Sequence, residues 1–393
     1  MLLVKYQDFE YYNKYSKELI KTDLCIPLFF DEDMFAFNVL NNYVIDKVFY
    51  ENAWRSENTI KSNSQHLLDF FIYLESNNLK WDEVTHQYLN QWRENIKTKG
   101  LSGKSLNNNT VNYKIAAVSS FYLWAYIEKI INVNPFTRIE KNFKNNANFN
   151  QRAIIVKKNI LVHKLPTNKV IIKVPTLEEL KLFFAAKMPI ETQLMALFIY
   201  DTGLRRDELY SLDLKSFKNA TRFDNFTEIY LNNDSMNTKR KKNRKIIISN
   251  DLYDTVEEFT KSESQFINRN KFLIKNKKES TRLFITRQGN NYSGDTLNKS
   301  FNSICEKVFC NKNFITPHTL RHSFATHNLV YNLDKFNGSE ERMLSWLSNR
   351  LGHSSVNTTR EHYIHFVNDL KIKENDTLTK FEENINSIYK EIK

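Results

Sequence analysis

Residues 315–327 read ITPHTLRHSFATH. A helix opening after Pro317 carries His318 and Arg321 at i and i+3, so both project from one face. A guanidinium beside an imidazole suits a phosphate clamp with a hydrogen-bonding or proton-transferring ring. His322 and His327 in the same stretch invite a zinc reading. No cysteine partner and no HExxH pattern accompanies them, so no metal is expected.

Upstream, residues 201–214 read DTGLRRDELYSLDL. Arg205 follows a Thr-Gly turn at a helix start, where a guanidinium can fork onto two phosphate oxygens with help from the helix N-terminus. Glu208, one turn on, is close enough to orient a neighbouring Arg or His. Taken alone, the pair reads more readily as a surface Arg–Glu contact on a helix than as a phosphate site. Between the two boxes lies NTKRKKNRKIIIS (237–249), with six cations from Lys239 to Lys245 at a hairpin tip between the β-rich runs FTEIYL and KIIIS. These cations read either as a solvated, phosphate-attracting turn or as the site of one lysine that protonates a leaving oxygen. Charge counting does not choose among them. Downstream, NRLGHSSVNTTREHYIHFV (349–367) sets His353 after a Leu-Gly turn and Tyr363 ten residues later. A single tyrosine among 19 is most often structural. Tyr363 stands out by its company, two Arg, a Lys and two His in the order that a phosphate site requires.

Composition limits what surrounds these segments. The chain has 393 residues and a formal charge of +12, long enough for two domains. With 41% hydrophobic and 26% charged residues it is globular material. Seven glycines and six prolines exclude fibrous classes and weigh against folds built on glycine loops. No apolar run is long enough to span a membrane. The N-terminal MLLVKYQDFEYYNKYSK lacks the apolar core of a secretory signal. Three cysteines, Cys25, Cys305 and Cys310, at no metal-ligand spacing suit a reducing cytoplasm. The positive balance favours nucleic acid over a membrane surface as partner.

The expected fold class is mainly α with a small embedded antiparallel sheet. Residues 1–50 are aromatic-rich and assigned no role beyond an N-terminal extension or arm region. Residues 51–140 read as a helical domain: Leu67, Leu68, Phe71 and Leu74 share a face, Trp81 to Ile96 forms a second helix, and Thr110 caps a third running to Ile131. Its stripe is Val111, Ile115, Val118, Phe121 and Ala125. Residues 141–175 read as a basic interdomain linker. Residues 176–393 form the second domain, opened by a capping box at Thr176–Glu179, with helices expected around 191–200, 252–268, 295–308, 318–331 and 376–392.

The ordered boxes resemble the tyrosine recombinase, or phage integrase, family. TGLRRDEL is similar to its first arginine box, PHTLRHSFATH to its H-x-x-R box, LGHSSVNTTREHY to its closing His-and-Tyr box, and TKRKKNRKIII to its lysine hairpin. LFITRQGNNYS (283–293) resembles another recurring segment, and residues 55–140 resemble the core-binding domain. The likeness covers roughly 55–370 and implies a two-domain clamp on duplex DNA. It makes Arg205 and Arg321 the clamp on the scissile phosphate, Tyr363 the nucleophile forming a 3′-phosphotyrosyl bond, and Lys239 the acid for the departing 5′ oxygen. His318 and His353 hydrogen-bond the phosphate, with Glu208 as support behind them. It further implies no metal and no ATP, a homotetramer on paired DNA sites, room for an accessory DNA-bending or directionality protein, and a cytoplasmic, nucleoid-associated protein of a bacterium or mobile element. Two departures from the family pattern are an insertion around Asp334–Glu341 and a Tyr363 one residue later than usual. The tail from 376 reads as an amphipathic helix, docked on a neighbouring protomer or on its own domain. Two other readings remain open: a DNA-binding regulator on the same fold without turnover, and a topoisomerase- or resolvase-like relative with the same chemistry.

Overall fold

A computed structural model of the chain describes residues 1–13, 15–98, 105–136, 138–145, 154–161, 163–167, 174–232, 236, 243–331, 339–353, 355–357 and 359–360. Among these residues helices dominate and the sheets are small and antiparallel. The chain divides into two compact units, Met1–Val170 and Ile171–Lys393.

The first unit opens with four short strands, β1 (Leu2–Tyr6), β2 (Phe9–Tyr12), β3 (Leu19–Thr22) and β4 (Ile26–Phe30). β1 pairs with β4 and β2 with β3. Helix α1 (Asn38–Ile45) follows and continues into a π-helical turn, Asp46–Tyr50. The expected helices come next. In α2 (Glu57–Ser76) the Ser56 hydroxyl accepts from the Thr59 N–H at 3.2 Å, satisfying one of the free donors of the first turn. A 3₁₀ turn (Trp81–Glu83) precedes α3 (His86–Thr98), so the stretch expected as one helix from Trp81 is broken at Val84, whose backbone is extended. α4 (Asn108–Ile127) starts earlier than its sequence suggests. The cap is Asn107, whose side chain takes the Thr110 N–H at 2.8 Å, and the helix stops at Ile127 rather than Ile131.

All five residues of the α4 stripe, Val111, Ile115, Val118, Phe121 and Ala125, are buried. They meet Leu67, Phe71 and Leu74 of α2 in one core with Ile26, Phe29, Leu40, Tyr43 and Val44. Residues 1–50 therefore contribute side chains to the same core as the helices. Tyr43 sits edge-on to Trp54, Phe121 and Trp124, with centroids 5.4–5.5 Å apart, a favoured aromatic geometry. Lys114 and Asp69 form a buried ion pair. Strands β5 (Arg138–Asn145) and β6 (Ile154–Leu161) pair antiparallel, so the expected linker 141–175 holds a hairpin whose first strand starts three residues earlier, within the expected helical domain. The chain beyond β6 is fastened to α4. Asn112 donates to the Leu165 carbonyl at 2.9 Å and accepts from its N–H at 2.8 Å, and Asn108 donates to the Pro166 carbonyl at 2.7 Å.

The second unit begins with the expected capping box. Thr176 and Glu179 satisfy each other's backbone N–H groups at the start of α5 (Leu177–Ala185). α6 (Ile190–Thr202) is buried along almost its whole length, including Leu194 and Phe198. Short helices α7 (Arg206–Tyr210) and α8 (Leu214–Lys218) lead to a sheet of β7 (Thr221–Arg222), β8 (Phe226–Leu231) and β9 (Arg244–Ser249). β8 and β9 are the two β-rich runs read in the sequence, paired from Phe226↔Ser249 to Leu231↔Arg244. The expected helix 252–268 is two helices, α9 (Asn250–Lys261) and α10 (Glu263–Asn276). Ser262 is extended, ending one and capping the other through Gln265 N–H. α11 (Gly294–Phe309), α12 (Pro317–Tyr331) and α13 (Glu340–Leu351) complete the described part. Most of the expected insertion, and the tail from 376, lie outside the described residues.

Candidate active site

α6 ends by turning left-handed at Gly203, with φ 66°. A Cβ there would stand 2.4 Å from Phe324 Cδ1, so both backbone and space require glycine. The turn delivers Arg205 in an extended conformation at the head of α7. Glu208, only 2% exposed, folds back on it. Its Oε2 accepts from the Arg205 backbone N–H at 3.0 Å and its Oε1 from Arg205 Nη1 at 3.0 Å. Arg205 Nη2 donates to the Gly352 carbonyl at 3.0 Å. The Arg–Glu pair is thus set into the fold, with the carboxylate buried beneath the guanidinium.

Arg321, in the second turn of α12, is 4% exposed. It donates to the Gly203 carbonyl at 2.5 Å and to the Leu351 carbonyl at 2.7 Å. These are the C-terminal ends of α6 and α13, where the helix dipoles are negative, so two helix ends offset the buried cation. Arg321 Nη2 also lies 3.3 Å from His353 Nε2. An arginine only donates, so His353 Nε2 is the acceptor, and the proton of the neutral ring sits on Nδ1, facing Thr359 Oγ1 at 2.8 Å. His318 is exposed at the start of α12, with its Nε2 2.9 Å from Nε2 of the buried His322. One proton serves that contact, so the two rings hold complementary states.

Arg205, His318 and Arg321 line one cavity of about 400 Å³, which Asn298 and Asn302 of α11 also line. Arg206, which also lines it, is paired to Asp207 at 2.9 Å. The cavity therefore carries three guanidinium groups against one lining carboxylate. Guanidinium groups gathered on one cavity can hold an anion such as a phosphodiester. Here those of Arg205 and Arg321 also donate to Glu208 and to main-chain carbonyls. Lys239 and Tyr363 lie outside the described residues. Among the described residues no group of three or more His, Cys, Asp or Glu is gathered to hold a metal ion, and no helix is long and apolar enough to cross a membrane. His327, the other candidate metal ligand, is buried. It meets the Tyr200 hydroxyl at 2.9 Å through Nδ1, and burial lowers its pKa to about 4.

The family model described as "Phage integrase family" matches residues 175–369, and that described as "Phage integrase, N-terminal SAM-like domain" matches residues 49–129. The chain belongs to the phage integrase family of tyrosine recombinases. It is an enzyme of DNA strand transfer, a site-specific tyrosine recombinase. Tyrosine recombinase XerD of Rickettsia prowazekii (strain Madrid E) is 25% identical over 335 residues, which cover 80% of this chain and 89% of that protein. Tyrosine recombinase XerC of Bacillus subtilis (strain 168) is 25% identical over 262 residues, 65% of this chain and 70% of that one. The fold is similar to that of the Tn1549 transposon integrase in complex with a circular intermediate DNA, with a TM-score of 0.54, 17% identity, and coverage of 82% of this chain and 93% of that one. It is also similar to XerH site-specific recombinase bound to palindromic difH substrate, with a TM-score of 0.52, 18% identity, and coverage of 86% and 87%.

Two residues around the recombinase's site, Arg244 and Thr359, escape the sequence reading, and a third, His322, is read there only as a candidate metal ligand. Arg244 donates to Glu208 Oε2 at 2.5 Å and to the Arg350 carbonyl at 2.7 Å. In sequence it is one of six cations, and only its place as the first residue of β9 separates it from the turn. Thr359 and His322, which meet His353 and His318, carry no separate signal, because their partners are set by the turn after α13 and by one turn of α12.

Proposed function

We propose that this recombinase cuts and rejoins duplex DNA at specific sites by attack of Tyr363 on a scissile phosphate. Arg205 and Arg321 bind its non-bridging oxygens and stabilise the charge that grows on them in the pentavalent transition state. The Tyr363 oxygen bonds to phosphorus, its proton passing to His318 or to water, and the bond to the 5′ oxygen breaks. Lys239 gives that oxygen its proton, leaving a 3′-phosphotyrosyl link and a free 5′-hydroxyl. Attack by a second 5′-hydroxyl reverses the steps. The phosphodiester energy is kept in the covalent link, so the chemistry calls for neither ATP nor a metal. His353, whose Nε2 accepts from Arg321 in this structure, hydrogen-bonds the phosphate once that nitrogen carries a proton, and Glu208 orients Arg205.

The observation that carries the reading is the meeting of Arg205, His318 and Arg321 around one cavity, with His353 bonded to Arg321. Three segments far apart in sequence supply these groups. In the same reading, residues 51–140 are the core-binding domain, 141–175 the linker, and 176–393 the catalytic domain, assembled as a homotetramer on paired sites. The net charge of +12 supports a DNA partner whose binding weakens steeply with salt. The outcome is integration, excision or a related rearrangement of a mobile element in the bacterial cytoplasm.

A nicked duplex carrying DNA that flanks the gene, incubated in EDTA, tests the chemistry. Wild type should give a covalent protein–DNA band on a denaturing gel, and Tyr363→Phe should give none. A band that survives in Tyr363→Phe assigns the nucleophile elsewhere. A clear gel shift with no covalent band from wild type defeats the cleavage reading.

A further inference from the structure

The geometry points to Arg244 as a positioning residue for Arg205, a role that rests on the phosphate-clamp reading above. Arg205 has two side-chain acceptors, Glu208 Oε1 and the Gly352 carbonyl. Arg244 bonds the carboxylate of the first directly and packs beside the residue that carries the second. Its Nη2 holds the other Glu208 oxygen at 2.5 Å, so the carboxylate is gripped at both ends and its plane is fixed. Its Nη1 holds the Arg350 carbonyl at 2.7 Å, in the last turn of α13. The same guanidinium lies over Gly352, where a Cβ would stand 2.6 Å from Nη1. Gly352, with φ 62°, gives up its side chain and Arg244 occupies the space.

Arg244 is itself 13% exposed at the side chain, and it is not among the residues lining the cavity. Burial lowers its pKa from the ordinary arginine value, with Glu208 opposing that shift and Arg205 adding to it. The cation is therefore held in a place where water serves it poorly. What it returns is orientation. Without Arg244, Glu208 Oε2 keeps only the Arg205 backbone N–H at 3.0 Å, and a carboxylate held by that one neutral donor and by Arg205 Nη1 can shift with the guanidinium. Gripped from behind, it presents Arg205 in one plane, as a bidentate phosphate contact requires. The competing role is a buried counter-ion that merely keeps Glu208 charged and the fold stable.

Substrate charge separates the two. A methylphosphonate at the scissile position removes the charged oxygen that Arg205 neutralises, so a defect in the clamp should shrink on that substrate. A defect of folding should not. Single-turnover cleavage of the nicked duplex is measured for wild type, Arg205→Ala and Arg244→Lys on phosphodiester and on methylphosphonate, with gel shifts alongside. Arg244→Lys keeps the charge beside Glu208 and loses the fork to Arg350. It should slow cleavage of the phosphodiester by roughly 10- to 100-fold, the value of one charge-assisted hydrogen bond, with little change in DNA affinity. On the methylphosphonate, both variants should come within about 3-fold of wild type.

Recovery by Arg205→Ala but not by Arg244→Lys overturns the proposal. Recovery by neither variant overturns the clamp and the proposal together. A wild type that yields no covalent product removes the reaction on which both depend. If Arg244→Lys unfolds, Arg244→Gln combined with Glu208→Gln leaves no buried carboxylate without its partner and is compared with Glu208→Gln alone on both substrates. Equal defects are expected if Arg244 acts through Glu208, and a larger phosphodiester defect in the double variant that persists on the methylphosphonate overturns the proposal.

Discussion

Glu208→Gln replaces one oxygen by an amide in a side chain that is 2% exposed and grips two arginines. The shape is kept, but the negative charge between Arg205 and Arg244 is lost, and an NH₂ group must face one of two guanidinium groups that can only donate. Removing one partner of a buried pair costs about 3–5 kcal/mol. Arg205 keeps 24% of its side-chain exposure, so water absorbs part of its share, whereas Arg244 at 13% has little such relief. The net loss for the second unit should be about 3–4 kcal/mol. Urea unfolding measures it, read with hydrogen exchange on peptides covering α7, β9 and the end of α13, since a two-unit chain need not unfold in one step. Faster exchange should be confined to those peptides, and single-turnover cleavage should fall with them. If Glu208→Gln unfolds within about 0.5 kcal/mol of wild type and exchanges at wild-type rates, Glu208 is not the buried charge that holds the two arginines.

Gly203→Ala forces a side chain onto a backbone with φ 66° and into Phe324. Left-handed strain of about 1–2 kcal/mol and overpacking of about 1–3 kcal/mol should lower the unfolding midpoint clearly. An unchanged midpoint would mean that this turn adopts another conformation in solution. His327 is neutral in the folded chain because burial brings its pKa to about 4, below its ordinary value of 6.5. As pH falls, the unfolded chain takes up this proton first, so stability is intact near neutrality and is lost progressively from about 6.5 down to about 4, with roughly 2 kcal/mol gone at pH 5. Unfolding of wild type and His327→Gln at pH 7 and pH 5 should show the smaller drop in the variant, and equal drops would remove His327 as the cause.

Patterns that repeat over a few residues were open to reading along the chain. The α4 stripe follows from helical periodicity, the Thr176–Glu179 box from a local exchange of hydrogen bonds, and the β8–β9 pair from two β-branched runs on either side of a polar turn. Residues 107–110 run Asn-Asn-Asn-Thr, four side chains each able to cap, and neither composition nor period selects Asn107. Strands β1 and β4 pair across a gap occupied by another hairpin, and no local signal reports a partner that distant. Ser262 is equally ordinary in sequence. It breaks a helix because both neighbouring helices bury faces that one straight rod would not turn inward.

The candidate site divides along the same line. The identities of Arg205, His318, Arg321 and His353, and the order in which they come, are visible in the boxes, because each is tied to its own turn or helix start. The environment of each is not. Arg321 finds carbonyls at the ends of α6 and α13, and Arg205 finds one at Gly352, 147 positions away. Glu208, on α7, is buried with Arg244 of β9 sharing its charge. Short-range periodicity and turn chemistry are written in neighbouring residues. A buried charge has to be met by whatever donors and acceptors the folded chain brings against it, and those come from segments that are neighbours only in space.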